Sequence, residues 1–216
     1  MGCISYHEAK ELLDIKNTMT SAFPARELDI SLDLGRTKTV VHLTEEGVAI
    51  DRNNLVMTWD EVKSIAKKTT CFALYDDGSK PWQISTISPN TGIPASLTPP
   101  LDGPGAPTLL LGGFTMHRIA GENVNPTLDT EAKMASVRIN RGNRVLDTCM
   151  GLGYTAIQAA ELVGQDGSVV TIEYDQASLE VASYNPWSQG LFDGTLNIEI
   201  REGTVKTIPH SLKMLN

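Results

Sequence analysis

The sequence predicts an α/β chain in two parts, a small antiparallel α+β domain followed by a parallel, doubly wound sheet. Three observations carry this. Apolar residues from Leu28 to Ser88 recur with period two between short turns. Residues 88–107 hold six prolines and three glycines, a composition that separates domains rather than filling one. The run R-V-L-D-T-C-M-G-L-G-Y-T-A-I-Q-A-A-E-L-V-G-Q-D-G-S-V-V-T-I-E-Y-D at 144–175 reads as strand, glycine turn, helix, loop and strand, which is one parallel βαβ unit. The expected division is a helix or tail at 1–24, a β domain with one helix at 25–88, a linker at 89–107 and the parallel core at 108–216.

Taken in order, residues 7–16 form a short amphipathic helix that is too acidic for a transit peptide. The start M-G-C-I-S-Y fails as a lipidation signal because Tyr6 stands where Ser or Thr is required. Ile30–Leu34, Thr37–Leu43, Val48–Ile50 and Leu55–Met57 read as strands. Thr58 and Glu61 make a capping box that opens a helix from Trp59 to about Lys68. Cys71–Tyr75 and Trp82–Ile87 follow as a hairpin around D-D-G-S-K-P. No chemical constellation stands out in this domain, which reads as a structural or recruiting module.

Beyond the proline-rich stretch, which is expected to lack regular structure, Thr108–Leu111 is a short strand. His117 and Arg118 are the one adjacent His–Arg pair. Asn125-Pro126 caps a helix running to about Ile139. Within the βαβ unit, Arg144–Asp147 is a strand ending in acid, and Gly151 and Gly153 allow a tight turn and close backbone approach. Ile157, Ala160, Leu162 and Val163 lie at helical spacing. Gly164 and Asp166-Gly167 stop that helix, and Val169–Tyr174 is a strand ending at Glu173 and Asp175. Gln176–Ser183 is helical until Asn185-Pro186 ends it. Leu196–Arg201 alternates as a third strand.

Such a unit binds a nucleotide-like ligand at the carboxyl ends of its strands. Gly151 to Ala156 fits G-x-G-x-x-A, and Glu173 lies about 20 residues on, where a dinucleotide site puts its ribose acid. Asp147 argues otherwise. A carboxylate at the first strand end repels a pyrophosphate, whereas it suits the cationic amino and sulfonium groups of S-adenosylmethionine. The residues therefore favour S-adenosyl-L-methionine over NAD as cofactor.

The blocks V-L-D-T-C-M-G-L-G-Y-T-A at 145–156, M-H-R at 116–118 and N-P-W-S at 185–188 occur together and in order. In them the chain resembles a family of class I S-adenosylmethionine-dependent methyltransferases found in archaea, with relatives elsewhere. The likeness runs from about residue 25 to about residue 200. Cys149 stands where the wider superfamily has its first loop glycine, as is usual in this family. The resemblance implies a Rossmann-like core and a cofactor site of Asp147, Thr148, Gly151, Leu152, Gly153, Tyr154, Glu173, Tyr174 and Asp175. Asp147 would lie near the methionine end, Glu173 on the ribose, and Tyr174 and Asp175 beside the adenine. It also implies a pocket bordered by His117, Arg118 and Asn185. No catalytic base is assigned, because methyl transfer from an activated donor depends mainly on positioning.

The family's D-P-P block, next to the transferred methyl, has no equivalent here, and residues 204–216 do not resemble the family. The sequence is therefore expected to be a C-terminally truncated core. That leaves two alternatives: a non-catalytic cofactor-binding or interaction protein, and an aminopropyltransferase-like enzyme, whose G-G-G-D-G loop differs from D-T-C-M-G-L-G.

Composition narrows the partners. The net charge is −8 and both halves share the acidic excess, so no basic surface favours duplex nucleic acid. No apolar run reaches the roughly 20 residues of a membrane helix. Three separated cysteines suggest a reducing, cytoplasmic setting without a disulfide framework. The histidines His7, His42, His117 and His210 show no metal-ligand spacing, so no metal is expected. Homo-oligomerisation is left open.

Overall fold

The computed structural model describes residues 2–19, 26–51, 54–119 and 124–206. The chain folds as two compact units, Met1–Ser85 with Ser96–Pro107, and Thr86–Ala95 with Thr108–Asn216.

In the first unit, β1 (Gly2–Ile4) leads into α1 (Tyr6–Thr18), and β2 (Arg26–Ile30), β3 (Thr39–Leu43), β4 (Gly47–Asp51) and β5 (Asn54–Thr58) make an antiparallel sheet in sequential order. α2 (Trp59–Ile65) follows, then β6 (Phe72–Leu74) and β7 (Trp82–Gln83), with β1 pairing along β6. Both helices start at capping boxes, Ser5 with Glu8 and Thr58 with Glu61, which satisfy backbone donors that a helix start leaves open. Ala9 and Leu12 of α1 are fully buried in one core with Val41, Leu43, Val48, Met57, Val62 and Ile65. The amphipathic N-terminal helix is thus part of this core.

Two readings of local structure change here. The strand expected at Ile30–Leu34 ends at Ile30, because Asp33 gathers the following loop, accepting from Ser31 Oγ at 2.8 Å and from the Thr37 amide at 2.8 Å. The proline-rich stretch contains a strand, β9 (Pro94–Thr98), paired with β8 (Ser85–Ile87). Pro94 is its first residue, a position where a missing N–H does least harm, and Ala95 and Leu97 point into buried surroundings. The chain passes between the two units within each of these two strands and again between Pro107 and Thr108.

The second unit continues with β10 (Thr108–Leu111) and β11 (Phe114–Thr115), an antiparallel pair. α3 (Pro126–Ala135) is capped by Asn125, whose side chain accepts from the Leu128 amide at 2.9 Å. It ends before Ile139, where the Ser136 hydroxyl folds back onto the Lys133 carbonyl at 2.6 Å. β12 (Arg144–Asp147), α4 (Tyr154–Val163), β13 (Ser168–Glu173), α5 (Gln176–Tyr184), a 3-10 turn at Pro186–Leu191 and β14 (Ile198–Glu202) complete the described chain. β12, β13 and β14 form a parallel sheet in that order, so consecutive strands neighbour one another with a helical crossover between them, the Rossmann-like arrangement. Val169 and Ile172 of β13 and Ala156, Ala159, Ala160 and Val163 of α4 fill the interior of this layer.

Candidate functional site

The carboxyl ends of β12 and β13 converge on the turn between Asp147 and Tyr154. Asp147 and Thr171 are register partners on the two strands, and the fully buried Thr171 donates its hydroxyl to Asp147 Oδ2 at 2.8 Å. That bond aims the carboxylate at the strand end. The turn is pinned to β13 by the Met150 amide, which donates to the Ile172 carbonyl at 2.9 Å.

The two glycines do different things. Gly151 has φ +54, and a Cβ there would meet nothing within 4 Å, so its backbone faces open space. Gly153 has φ +76, and a Cβ there would run into the Leu191 side chain, so it is packed. Gly153 is also the N-cap of α4 and makes no side-chain cap bond to the helix start.

Glu173 organises the second strand end. Its Oε2 accepts from the Gly151 amide at 2.8 Å, and its Oε1 accepts from the amides of Tyr174 and Asp175, both at 2.9 Å. Asp175 is buried; Oδ1 caps α5 through the Ala177 amide at 2.9 Å, and Oδ2 accepts from Thr91 Oγ1 at 3.0 Å. Tyr174 is half-exposed. Three carboxylates therefore sit within one turn-and-strand-end cluster, an environment that repels phosphate and favours a cation or hydroxyl groups. No group of three or more metal-ligating side chains occurs among the described residues.

Around this cluster the expected residues fall in distinct places. Thr148 and Cys149 are exposed, and the Leu152 side chain is buried. Tyr154 is buried, and the ring of His117 lies on it with centroids 5.1 Å apart. His117 Nδ1 is 3.0 Å from Thr108 Oγ1. Burial pushes the His117 imidazole down to about 4, with Lys133 adding to the effect and Asp129 opposing it, so the ring is neutral at physiological pH. Lys133 and Asp129 pair at 2.7 Å on α3. Arg118 is exposed.

Asn185 has no access to solvent. Its Nδ2 donates to Tyr154 Oη at 2.8 Å and to Ser188 Oγ at 2.7 Å, while its Oδ1 accepts from the Trp187 amide at 3.1 Å. Ser188 in turn donates to the Leu152 carbonyl at 2.7 Å. This polar chain stands behind the glycine turn and holds it. Sequence reasoning missed Thr171, Ser188, Asn90 and Thr91. A polar residue inside the apolar strand V-V-T-I was a visible signal for Thr171, and Ser188 closes the N-P-W-S block; Asn90 and Thr91 are joined to the site only by the fold.

The comparisons with known proteins bear on the same segment. Residues 121–203 match the family model of the protein-L-isoaspartate(D-aspartate) O-methyltransferases. The uncharacterized protein MJ1233 of Methanocaldococcus jannaschii is 33% identical over 205 residues, which cover 92% of this chain and 62% of that protein. The chain thus spans about 62% of the length of this curated relative. Among solved structures, a SAM-dependent methyltransferase from Aquifex aeolicus is 25% identical at a TM-score of 0.30, covering 38% of this chain and 41% of its own. A protein-L-isoaspartate O-methyltransferase is 30% identical at a TM-score of 0.29, covering 39% of this chain and 26% of its own. These overlaps are too low to bear on the overall arrangement. The family match lies over the strand, glycine turn, helix and strand described above, and it is in this segment that the chain is similar to the protein-L-isoaspartate(D-aspartate) O-methyltransferases.

Proposed function

We propose that the chain binds S-adenosyl-L-methionine on the β12–α4 turn and takes part in methyl transfer to an acceptor. The observation that carries this reading is the bond from the Gly151 amide to Glu173, which sets the open glycine backbone and a ribose-type carboxylate side by side. Asp147 at the neighbouring strand end supplies negative charge for the amino group of the methionine moiety, and Thr171 orients it. Gly151, Leu152 and Gly153 bring backbone close to the ligand, flanked by Thr148 and by Tyr154 at the start of α4. Glu173 keeps lone pairs for the ribose hydroxyls beside its three backbone donors. Tyr174 borders the adenine, and Asp175 supports it from the cap of α5.

The cofactor contributes an activated methyl group when bound. The chain's part is to hold that group in line with a nucleophile, and such positioning supplies a large share of the rate in transfers of this kind. His117, neutral and resting on Tyr154, is the candidate to meet the acceptor, with Arg118 beside it in sequence. Asn185 acts from behind, through Tyr154. We assign residues 108–216 to cofactor binding and residues 25–88 to structure or recruitment. The matching family model is named for O-methyl transfer to protein L-isoaspartate or D-aspartate, and peptides carrying those residues are a starting point for acceptor screening.

Isothermal titration with S-adenosylhomocysteine tests the reading. Saturable heat at one site per chain supports it. No heat from protein with a folded circular dichroism spectrum overturns it.

A further inference from the structure

The turn between β8 and β9 reaches the carboxyl end of β13 across 84 positions of sequence. Asn90 Nδ2 donates to the Tyr174 carbonyl at 2.7 Å, and Thr91 Oγ1 donates to Asp175 Oδ2 at 3.0 Å. The turn is itself firmly built. The Ser88 amide donates to the Ile93 carbonyl at 2.9 Å, and the Gly92 amide donates to the Ser88 carbonyl at 2.8 Å. The buried Ser88 hydroxyl donates to Asn90 Oδ1, which leaves the Asn90 amide nitrogen directed at Tyr174.

A nucleoside whose ribose hydroxyls rest on Glu173 carries its base on the adjoining ribose carbon. The base must then lie within a residue or two of Glu173 along the strand, at about 3.3 Å per residue. Those next residues are Tyr174 and Asp175, the two that Asn90 and Thr91 hold. The segments so joined also present the exposed apolar side chains of Ile93 and Tyr174, which suit the faces of a heteroaromatic ring.

We propose that the Ser88–Ile93 turn is a specificity element for the purine of the cofactor, with Asn90 and Thr91 as positioning residues that fix the β13 end against the base. This rests on the cofactor reading above. The test is titration calorimetry of wild type, Asn90→Ala, Thr91→Val and Thr91→Ser with S-adenosylhomocysteine and with S-inosylhomocysteine, which differs only in the purine edge. Wild type should prefer the adenosyl ligand. Asn90→Ala and Thr91→Val should weaken it about five- to tenfold and narrow the preference, and Thr91→Ser, which keeps the hydroxyl, should restore both. Unchanged affinity and preference in both loss variants overturns the inference, as does an equal loss for the two ligands, which marks a structural role only. If Thr91→Val fails to fold, Asn90→Ala decides, since the Asn90 side chain is exposed. Wild type that binds neither ligand overturns the cofactor reading itself, and the inference with it.

Discussion

The amide of Gly151 donates to Glu173 Oε2 at 2.8 Å, tying the glycine turn to the end of the second parallel strand. The same carboxylate accepts two further amides, from Tyr174 and Asp175 just past the end of its own strand, so one side chain sets the relative position of both halves of the candidate site.

Glu173→Gln follows directly from that arrangement. The neutral amide replaces one acceptor oxygen with a donor facing a backbone N–H, which leaves at least one amide unpaired. Stability should fall by about 1–3 kcal/mol, and S-adenosylhomocysteine binding should drop about tenfold or more as the proposed ribose acceptor is lost. Chemical denaturation and calorimetry on the same preparation check both.

The glycines separate folding from binding. Gly153→Ala puts a Cβ into Leu191 at a positive φ of +76, and should lower stability by about 2–4 kcal/mol from strain and overpacking together. Gly151→Ala meets open space at φ +54. It should cost about 1 kcal/mol in stability yet reduce cofactor affinity strongly. Equal stability losses for the two variants would contradict the difference in packing.

Removing the buried amide of Asn185 takes a donor from the Tyr154 hydroxyl and from Ser188 and the side-chain acceptor from the Trp187 amide. Asn185→Ala should destabilise by about 2–3 kcal/mol, seen as a lower thermal midpoint. Cofactor affinity should fall less than in Glu173→Gln, because Asn185 touches the turn only from behind.

His117 predicts a pH dependence of definite sign. Its folded value is about 4 against an ordinary 6.5. Between those values the unfolded chain binds more protons than the folded one. The stability conferred by keeping the ring neutral is complete above pH 6.5 and is lost as pH falls towards 4, by up to about 3 kcal/mol. Urea midpoints measured across this window should fall more steeply for wild type than for His117→Gln. Parallel curves would remove His117 as the source.

Much of the parallel core was legible because its signals are local. A strand ending in acid, two glycines and an apolar helix within 32 residues allow few arrangements, and β12, α4 and β13 lie where the pattern puts them. Asn185 shows the limit of that reading. Its block of sequence marks it as notable, but spacing does not tell whether a polar side chain faces a ligand or a buried partner, and here it faces Tyr154 and Ser188. The strand at Pro94–Thr98 was hidden by composition, since prolines at its first position and just past its end mask an alternating core. The reach of Asn90 to Tyr174 has no short-range signature at all.

The contact between Asn90 and Tyr174 also has a kinetic consequence. Closing a loop of 84 positions costs entropy that only a largely assembled chain recovers. Ligand capture should therefore lag behind the return of helical signal during refolding from urea. Each newly made molecule would pass through an interval in which its secondary structure has formed while the end of β13 is not yet held by Asn90.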